Sequence, residues 1–514
     1  MLSSDRMLSN IIKKATEALL TLPKAETDYF LASKSLPYPV QKSLEKYLEE
    51  GKTAVDKAAG YSIVGQRAVA LISDRDLYSC TSILDSLSFT GIRGGFVVVV
   101  LEMFNDIRFL AEKIGLPCVD YNPRKPLVKY VNIVLDYSEA VELPFILRAP
   151  LFSLAETPTA ESVLKRIRPR PYFNKHWLRP YRWNILASRV LEKSVADHER
   201  NIKVLEKLST ELEINEIDEK GTKKTAVVSA SCSQEAPENN TVITLGFMNP
   251  FPKKILEKYL AQAEEVTVVD SGKLYIKEKI GLTEAKVKKI EQKYEKICGG
   301  CPFPYILYAV HKALSEEDEV GVICIDMNCY TLVFSTQKPF PENYQIKSTS
   351  YFQRDFRDTA DIVLSENSSI NIAKAIAETG YQDGPVIAIT DLHKAKNAGD
   401  LPANLYIIAV NTLSEEHSLR KLPLNLDDLV EQLNKIFKTE DSCIAVFDKP
   451  CSLASKNSCN SIKIDEELCD KCGECLKLLC EALTLEGDRI VVKKEYCRNC
   501  GYCTEICSRS ALKP

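Results

Sequence analysis

Three observations predict a multi-domain α/β protein built on parallel sheets and closed by a small metal-ligated domain. At 514 residues the chain is too long for one domain. Continuous apolar runs such as GGFVVVVLE (94–102) and GPVIAIT (384–390) recur between helical stretches, as strands buried on both faces do. Eight of the eighteen cysteines are gathered between Cys469 and Cys507, at spacings that hold metal rather than disulfides in a reducing setting.

The elements follow in order. RAVALI (67–72) and GGFVVVVLE (94–102) read as strands, KPLVKYVNIVLDYSEAV as a helix, and LPFILRA as a further strand. VVVVLEMFNDIRFLAEKIGLP passes straight from strand into helix. RIRPRPYFNKHWLRPYRWN (166–184) is a Pro- and Arg-rich connector, and a long charged helix over about 187–213 follows. NTVITLGF, a helix from PFPKKILEKYLAQA, and EVTVVD form a second α/β unit. From about 286 a helix is expected to lead into CGGCP (298–302), and GVICID, GPVIAIT and NLYIIAV supply the strands of a third unit.

Composition narrows the function classes. A hydrophobic share of 45%, a charged share of 27% and a net charge of −4 describe an ordinary globular chain, and argue against nucleic acid or an anionic membrane as main partner. No apolar run approaches the roughly 18 residues of a membrane span, and the amino terminus carries no signal-peptide pattern. These features predict a cytoplasmic protein. Only 20 residues are glycine, a low share for a chain whose backbone must approach phosphates.

The strongest motif is at the end. Cys469-x2-Cys472-x2-Cys475-x4-Cys480 is followed by Cys497-x2-Cys500-x2-Cys503-x3-Cys507. Three thiolates at three-residue steps wrap one iron–sulfur cube, and in two-cluster ferredoxins the fourth ligand comes from the other motif. One 4Fe–4S cluster is therefore assigned to Cys469, Cys472, Cys475 and Cys507, and the second to Cys497, Cys500, Cys503 and Cys480. LTLEGDRIVV supplies a hairpin between the halves. A zinc ribbon also uses paired C-x2-C, but zinc needs four ligands per ion and leaves the third cysteine of each run unexplained. The proline usual after the fourth cysteine is replaced by Glu481 and Ser508.

KTAVDKAAG (52–60), GQRAVA, LSFTGIRGGFVVVV (87–100), LPFILR (143–148), NPFPKKILEKYL with VTVVD, CGGCP, CYTL (329–332) and KPCSLA (449–454) stand in this order ahead of the cysteine motifs. Together they resemble the alpha subunit of indolepyruvate ferredoxin oxidoreductase, of the thiamine-diphosphate-dependent 2-oxoacid:ferredoxin oxidoreductase superfamily. The resemblance implies a thiamine-diphosphate-enzyme-like fold. Its parts would be a pyrimidine-binding-like domain (1–165), a linker and transketolase-C-like domain (166–285), a diphosphate-binding-like domain (286–450) and a ferredoxin domain with two 4Fe–4S clusters (460–514). It also implies a beta- or gamma-type partner subunit in a hetero-oligomer, and ferredoxin as electron partner.

The same resemblance locates the cofactor site, where this chain departs from the pattern. The family's catalytic glutamate falls ungapped on Gly51, one residue from Glu50, and a helix turns successive side chains about 100° apart. Glu50 is the candidate catalytic carboxylate, with an exposed charge in YLEEGK as the plainer reading. The family's G-D-I-G-C-Y-T-L-G reads Ile325-Asp326-Met327-Asn328-Cys329-Tyr330-Thr331-Leu332-Val333 here, without its glycines. Asp391 and Asn411 are the candidates for magnesium and diphosphate, against strand-end turn residues as the plainer reading. After CGGCP the family's His-Arg is Phe303-Pro304.

Three functions follow as expectations. The first is an iron–sulfur electron-transfer subunit whose own thiamine diphosphate and Mg²⁺ site is impaired or lost; the second is a working aryl-pyruvate enzyme; the third is a structural paralogue. Cys298 and Cys301 form one further C-x2-C, which the resemblance favours as a structural turn over a redox pair or a cluster edge. The five histidines are scattered without metal or catalytic spacing. The basic 166–184 stretch reads as an interdomain strap rather than a base-stacking surface.

Overall fold

A computed structural model describes residues 7–158, 188–210, 214–281, 285–290, 296–316, 321–326, 329–330, 360–365, 369–380, 384–439, 442–454 and 462–513. The 166–184 connector lies outside them, as do Met327, Asn328 and Thr331–Val333. Two compact units are present. One is built from Ile11–Leu36 and Ser43–Gln292, the other from Met1–Asn10, Pro37–Lys42 and Lys293–Pro514.

The first unit carries strands β1 (Tyr29–Ser33), β2 (Leu48–Glu49), β3 (Ala68–Ser73), β4 (Phe96–Glu102), β5 (Cys118–Asp120), β6 (Phe145–Pro150), β7 (Glu216–Asp218), β8 (Lys224–Ser229), β9 (Thr241–Leu245), β10 (Phe247–Asn249), β11 (Glu265–Ser271) and β12 (Lys286–Ile290). They form a seven-stranded sheet in the order β10-β5-β6-β4-β3-β1-β2 and a five-stranded sheet in the order β12-β11-β8-β9-β7. Both are parallel except where β10 meets β5 and β7 meets β9. Val97–Val100 are fully buried, because helices cover both faces of a parallel sheet. One apolar core runs from Val98 and Ile146 of the larger sheet to Val227 and Val268 of the smaller.

At the carboxyl ends of these strands the core turns ionic. Arg148 of β6 donates to Glu102 of β4 at 2.7 Å and to Asp120 of β5 at 2.8 Å. Arg108 donates to Asp106 at 2.9 Å and to Asp270 of β11 at 2.7 Å. Both guanidiniums are fully buried, so they persist only because each is matched by carboxylates in direct contact.

The helix expected from about 286 is instead β12, which extends the smaller sheet in parallel with β11. Lysine favours helices, but the open edge offered by β11 satisfies this backbone with a ladder. Lys286, Lys288 and Lys289 are then left in solvent, as edge strands prefer.

The second unit holds β13 (Gly321–Asp326), β14 (Ala360–Ser365), β15 (Val386–Asp391), β16 (Leu405–Val410), β17 (Arg420–Lys421) and β18 (Ser442–Phe447). They make a parallel sheet in the order β14-β13-β15-β16-β18-β17. Only a short helix, Leu392–Lys396, separates β15 from β16. The cysteine domain adds β19 (Lys463–Ile464), β20 (Leu483–Glu486), β21 (Arg489–Val492) and β22 (Leu512–Lys513). β20 and β21 are the expected LTLEGDRIVV hairpin, and β19 pairs with β22. Among the described residues no helix is long and apolar enough to cross a membrane.

Candidate functional site

The two cysteine motifs share one backbone course. Lys471 and Asn499, each just before the second cysteine, have φ of 61° and 46°, and Gly473 and Gly501, each just after it, have φ of 80° and 84°. Left-handed residues at these steps curl the chain so that N–H groups turn inward, a concavity suited to an anion. The N–H groups of Glu474 and Tyr502 accordingly reach the sulfurs of Cys472 and Cys500, and Ala511 N–H reaches Cys507 Sγ at 3.3 Å.

The thiols gather in two groups. Cys475 lies within electrostatic reach of Cys472, Cys507 and Cys469. Cys503 lies within that reach of Cys500, Cys480, Cys475 and Cys497. The last cysteine of each motif is thus near enough to influence a thiol of the other motif's triplet. Burial pushes the Cys475 and Cys480 thiols up to about 12; such groups stay protonated unless a cation draws the proton off. Among the described residues no three His, Cys, Asp or Glu close around a single metal ion. A cube spreads its thiolates wider than a lone ion does, since each binds a different iron.

A third set of thiols was missed in the sequence. Cys298 is buried within electrostatic reach of Cys329, Cys301 and Cys451, and Cys301 within that reach of Cys451, Cys329 and Cys480. The loop that carries the first two is bolted down. Gly299 N–H donates to Glu481 at 3.1 Å and Ser452 donates to the Gly299 carbonyl at 2.5 Å. Ile297 bridges to Cys480. A Cβ on Gly299 would overlap the Tyr496 carbonyl. Each of the four cysteines lies in a short stretch that carried the family resemblance, and that was the available signal. With Cys329 and Cys451 standing 28 and 150 positions beyond Cys301, spacing alone could not join them.

The candidate thiamine residues are placed as follows. Glu50 caps the helix Gly51–Ile63, is 62% exposed at its side chain, and pairs with Lys34 at 3.3 Å. Gly51 cannot carry a side chain, because a Cβ there would overlap the Asp76 carboxyl. That carboxyl is held by Ser33 at 2.7 Å, Ser35 at 2.9 Å and Ser73 at 2.8 Å. Asp391 ends β15 and accepts the Lys394 N–H at 3.1 Å. Lys394 Nζ lies 2.9 Å from Asp326 and 3.8 Å from Asp391. Asn411 spends both ends of its amide on the protein, donating to Glu415 O and Asp448 at 2.8 Å and accepting Glu415 N–H at 2.8 Å. Tyr38 is buried against Tyr330, Cys329 and Asp391. Its ring belongs to a stack in which Phe303 and Tyr330 are 3.8 Å apart and Tyr38 and Phe303 6.1 Å apart. Burial raises the Asp391 carboxyl above the ordinary range, whereas Lys394 helps hold that of Asp326 below it, against its own burial. These residues fit an internal ion pair under an aromatic stack. Magnesium diphosphate would draw on carboxylate and amide oxygens that here meet Lys394 and Glu415.

No family model matches the chain. It is 22% identical to indolepyruvate oxidoreductase subunit IorA of Methanothermobacter marburgensis, over 90% of this chain and 88% of that protein. It is 21% identical to the subunit of the same name from Archaeoglobus fulgidus, over 91% and 89%. The corresponding figures for Methanothermobacter thermautotrophicus are 22%, 90% and 88%. Among solved structures, a 2-oxoglutarate:ferredoxin oxidoreductase from Magnetococcus marinus aligns at 12% identity with a TM-score of 0.40, over 54% of this chain and 61% of that one. A split-gene transketolase aligns at 12% identity with a TM-score of 0.32, over 55% and 88%.

Proposed function

We propose that this chain, a distant relative of the indolepyruvate oxidoreductase alpha subunits, is the iron–sulfur electron-transfer subunit of a 2-oxoacid:ferredoxin oxidoreductase-like complex. Its own thiamine diphosphate site is impaired or lost. The observation that carries this reading is a contrast within one unit. All eight ferredoxin-type cysteines are present in two runs of matching backbone course, while Asp391 and Asn411 are engaged by the protein's own groups.

On this reading Cys469, Cys472, Cys475 and Cys507 hold one 4Fe–4S cluster, and Cys497, Cys500, Cys503 and Cys480 hold a second. Cys298, Cys301, Cys329 and Cys451 offer a third set of four thiols. The electrostatic influence of Cys480 on Cys301, and of Cys475 on Cys503, supports a relay through neighbouring sets, which suits electron passage between a partner oxidoreductase subunit and soluble ferredoxin. The 2-oxoacid chemistry itself falls to a partner with an intact cofactor site.

Purified, anaerobic protein tests this directly. The expected result is acid-labile sulfide with a broad absorbance near about 400 nm that bleaches on reduction, and EPR signals of interacting reduced clusters. Thiamine diphosphate with Mg²⁺ should give no saturable binding. Tight stoichiometric binding, with 2-oxoacid-dependent ferredoxin reduction by this chain, would restore the working-enzyme reading. A colourless zinc protein would remove electron transfer altogether.

A further inference from the structure

The aspartates that end β13 and β15 are held together by a cation of the chain's own. Lys394 Nζ is 2.9 Å from Asp326 Oδ2 and 3.8 Å from Asp391 Oδ2, with the Asp326 side chain 6% exposed. The same residue's backbone N–H is capped by Asp391 Oδ1 at 3.1 Å, so Lys394 is fixed from both ends. The other bonds of Asp326 run to Ser369 N–H at 3.0 Å and Thr390 Oγ1 at 2.7 Å.

We propose that Lys394 is the resident cation of this site, a covalently tethered ammonium standing where a thiamine enzyme of this fold would hold a divalent metal ion. This rests on the reading that the thiamine site is impaired, and it gives that impairment a cause. Two nearby carboxylates, that of Asp326 buried and that of Asp391 partly so, repel, and a cation between them relieves that repulsion. An ammonium supplies one charge where Mg²⁺ supplies two, so the pair with its lysine keeps a net negative charge that repels a diphosphate. An ammonium also has only hydrogens to offer, whereas Mg²⁺ accepts oxygen ligands from carboxylate and phosphate together in an octahedron. Lysine therefore preserves the sheet and gives up the ligand.

The test uses full-length, cluster-loaded protein titrated with Mn²⁺, with the free ion followed by EPR. Wild type should take up no Mn²⁺. Lys394→Met should take up about one Mn²⁺ per chain, and the double variant Lys394→Met/Asp391→Asn none. If Lys394→Met is too unstable to titrate, its melting temperature should rise with Mn²⁺ while that of wild type does not. A Lys394→Met protein that neither binds Mn²⁺ nor is stabilised by it overturns this assignment and leaves the electron-transfer reading standing on its clusters. A wild-type site for Mn²⁺ that disappears in Asp391→Asn overturns both the lysine's role and the impaired site.

Discussion

Glu481 Oε1 accepts the Gly299 N–H at 3.1 Å, so the residue that follows Cys480 holds the loop carrying Cys298 and Cys301. Its other oxygen accepts Ser9 N–H at 3.2 Å. The side chain is fully buried. A proline at this position could make neither bond. Glu481→Ala should leave two buried N–H groups without acceptors, at about 1–3 kcal/mol each, and Glu481→Gln should lose less. Urea unfolding of the two variants checks this. Unchanged stability in the alanine variant would mean that water replaces the carboxylate at no cost.

What was legible in the sequence follows from what each signal depends on. Val97–Val100 and Val386–Ile389 were readable as strands because a doubly buried strand must be apolar at every step. The two terminal cysteine runs stood out because their spacing is local in sequence, and the two share one backbone course. Cys329 and Cys451 did not, since their partners come from distant segments. Lys286–Ile290 was misread because its lysines favour a helix in isolation, and only the exposed edge of β11 decides otherwise. The ion pair of Lys394 with Asp326 joins residues 68 apart, beyond the reach of periodicity or spacing.

The blocked position at Gly51 makes a restoration experiment informative. Gly51→Glu puts back the acid that the family resemblance expects there. In this chain its Cβ would overlap the Asp76 carboxyl, itself held by three serines. The variant should therefore be destabilised by roughly 1–3 kcal/mol through overpacking and gain no thiamine diphosphate affinity. Differential scanning calorimetry and isothermal titration measure the two effects. A stable Gly51→Glu protein that binds the cofactor would show that the helix Gly51–Ile63 shifts readily.

The crossing of the two cysteine motifs predicts which signal each variant loses. Cys507→Ala should abolish the cluster held by Cys469, Cys472 and Cys475, and Cys480→Ala the cluster held by Cys497, Cys500 and Cys503. In either case iron and sulfide should fall by one cluster's content, and the spin–spin interaction between the two clusters in the reduced protein should vanish. Combining Cys480→Ala with Cys503→Ala should cost no more iron than either alone, because both remove ligands of the same cluster. Doubled loss in that pair would assign Cys480 to the other group.

Stability should fall as pH rises from about 5 to 7.5, opposite to the usual carboxylate trend. Glu102 is largely buried, with its side chain 10% exposed, and despite Arg148 and Arg108, with Asp106 opposing them, this burial pushes its carboxyl up to about 7. Asp74 is likewise buried and raised to about 6. An unfolded carboxylate titrates near about 4, so between these values the folded chain holds protons that the unfolded chain has released. Stability then declines as pH rises through the window and levels off above the folded pKa. Asp106, held well below the ordinary range chiefly by its hydrogen bonds to Arg108 against its own burial, acts in the opposite sense, and its contribution is lost only as pH falls below about 4. Glu102→Gln should flatten the slope by on the order of 1–3 kcal/mol across the window, with the Asp74 share removed by Asp74→Asn. Thermal denaturation at stepped pH measures the slope, and a wild-type curve that rises with pH, or one unmoved by Glu102→Gln, would place the Glu102 proton elsewhere.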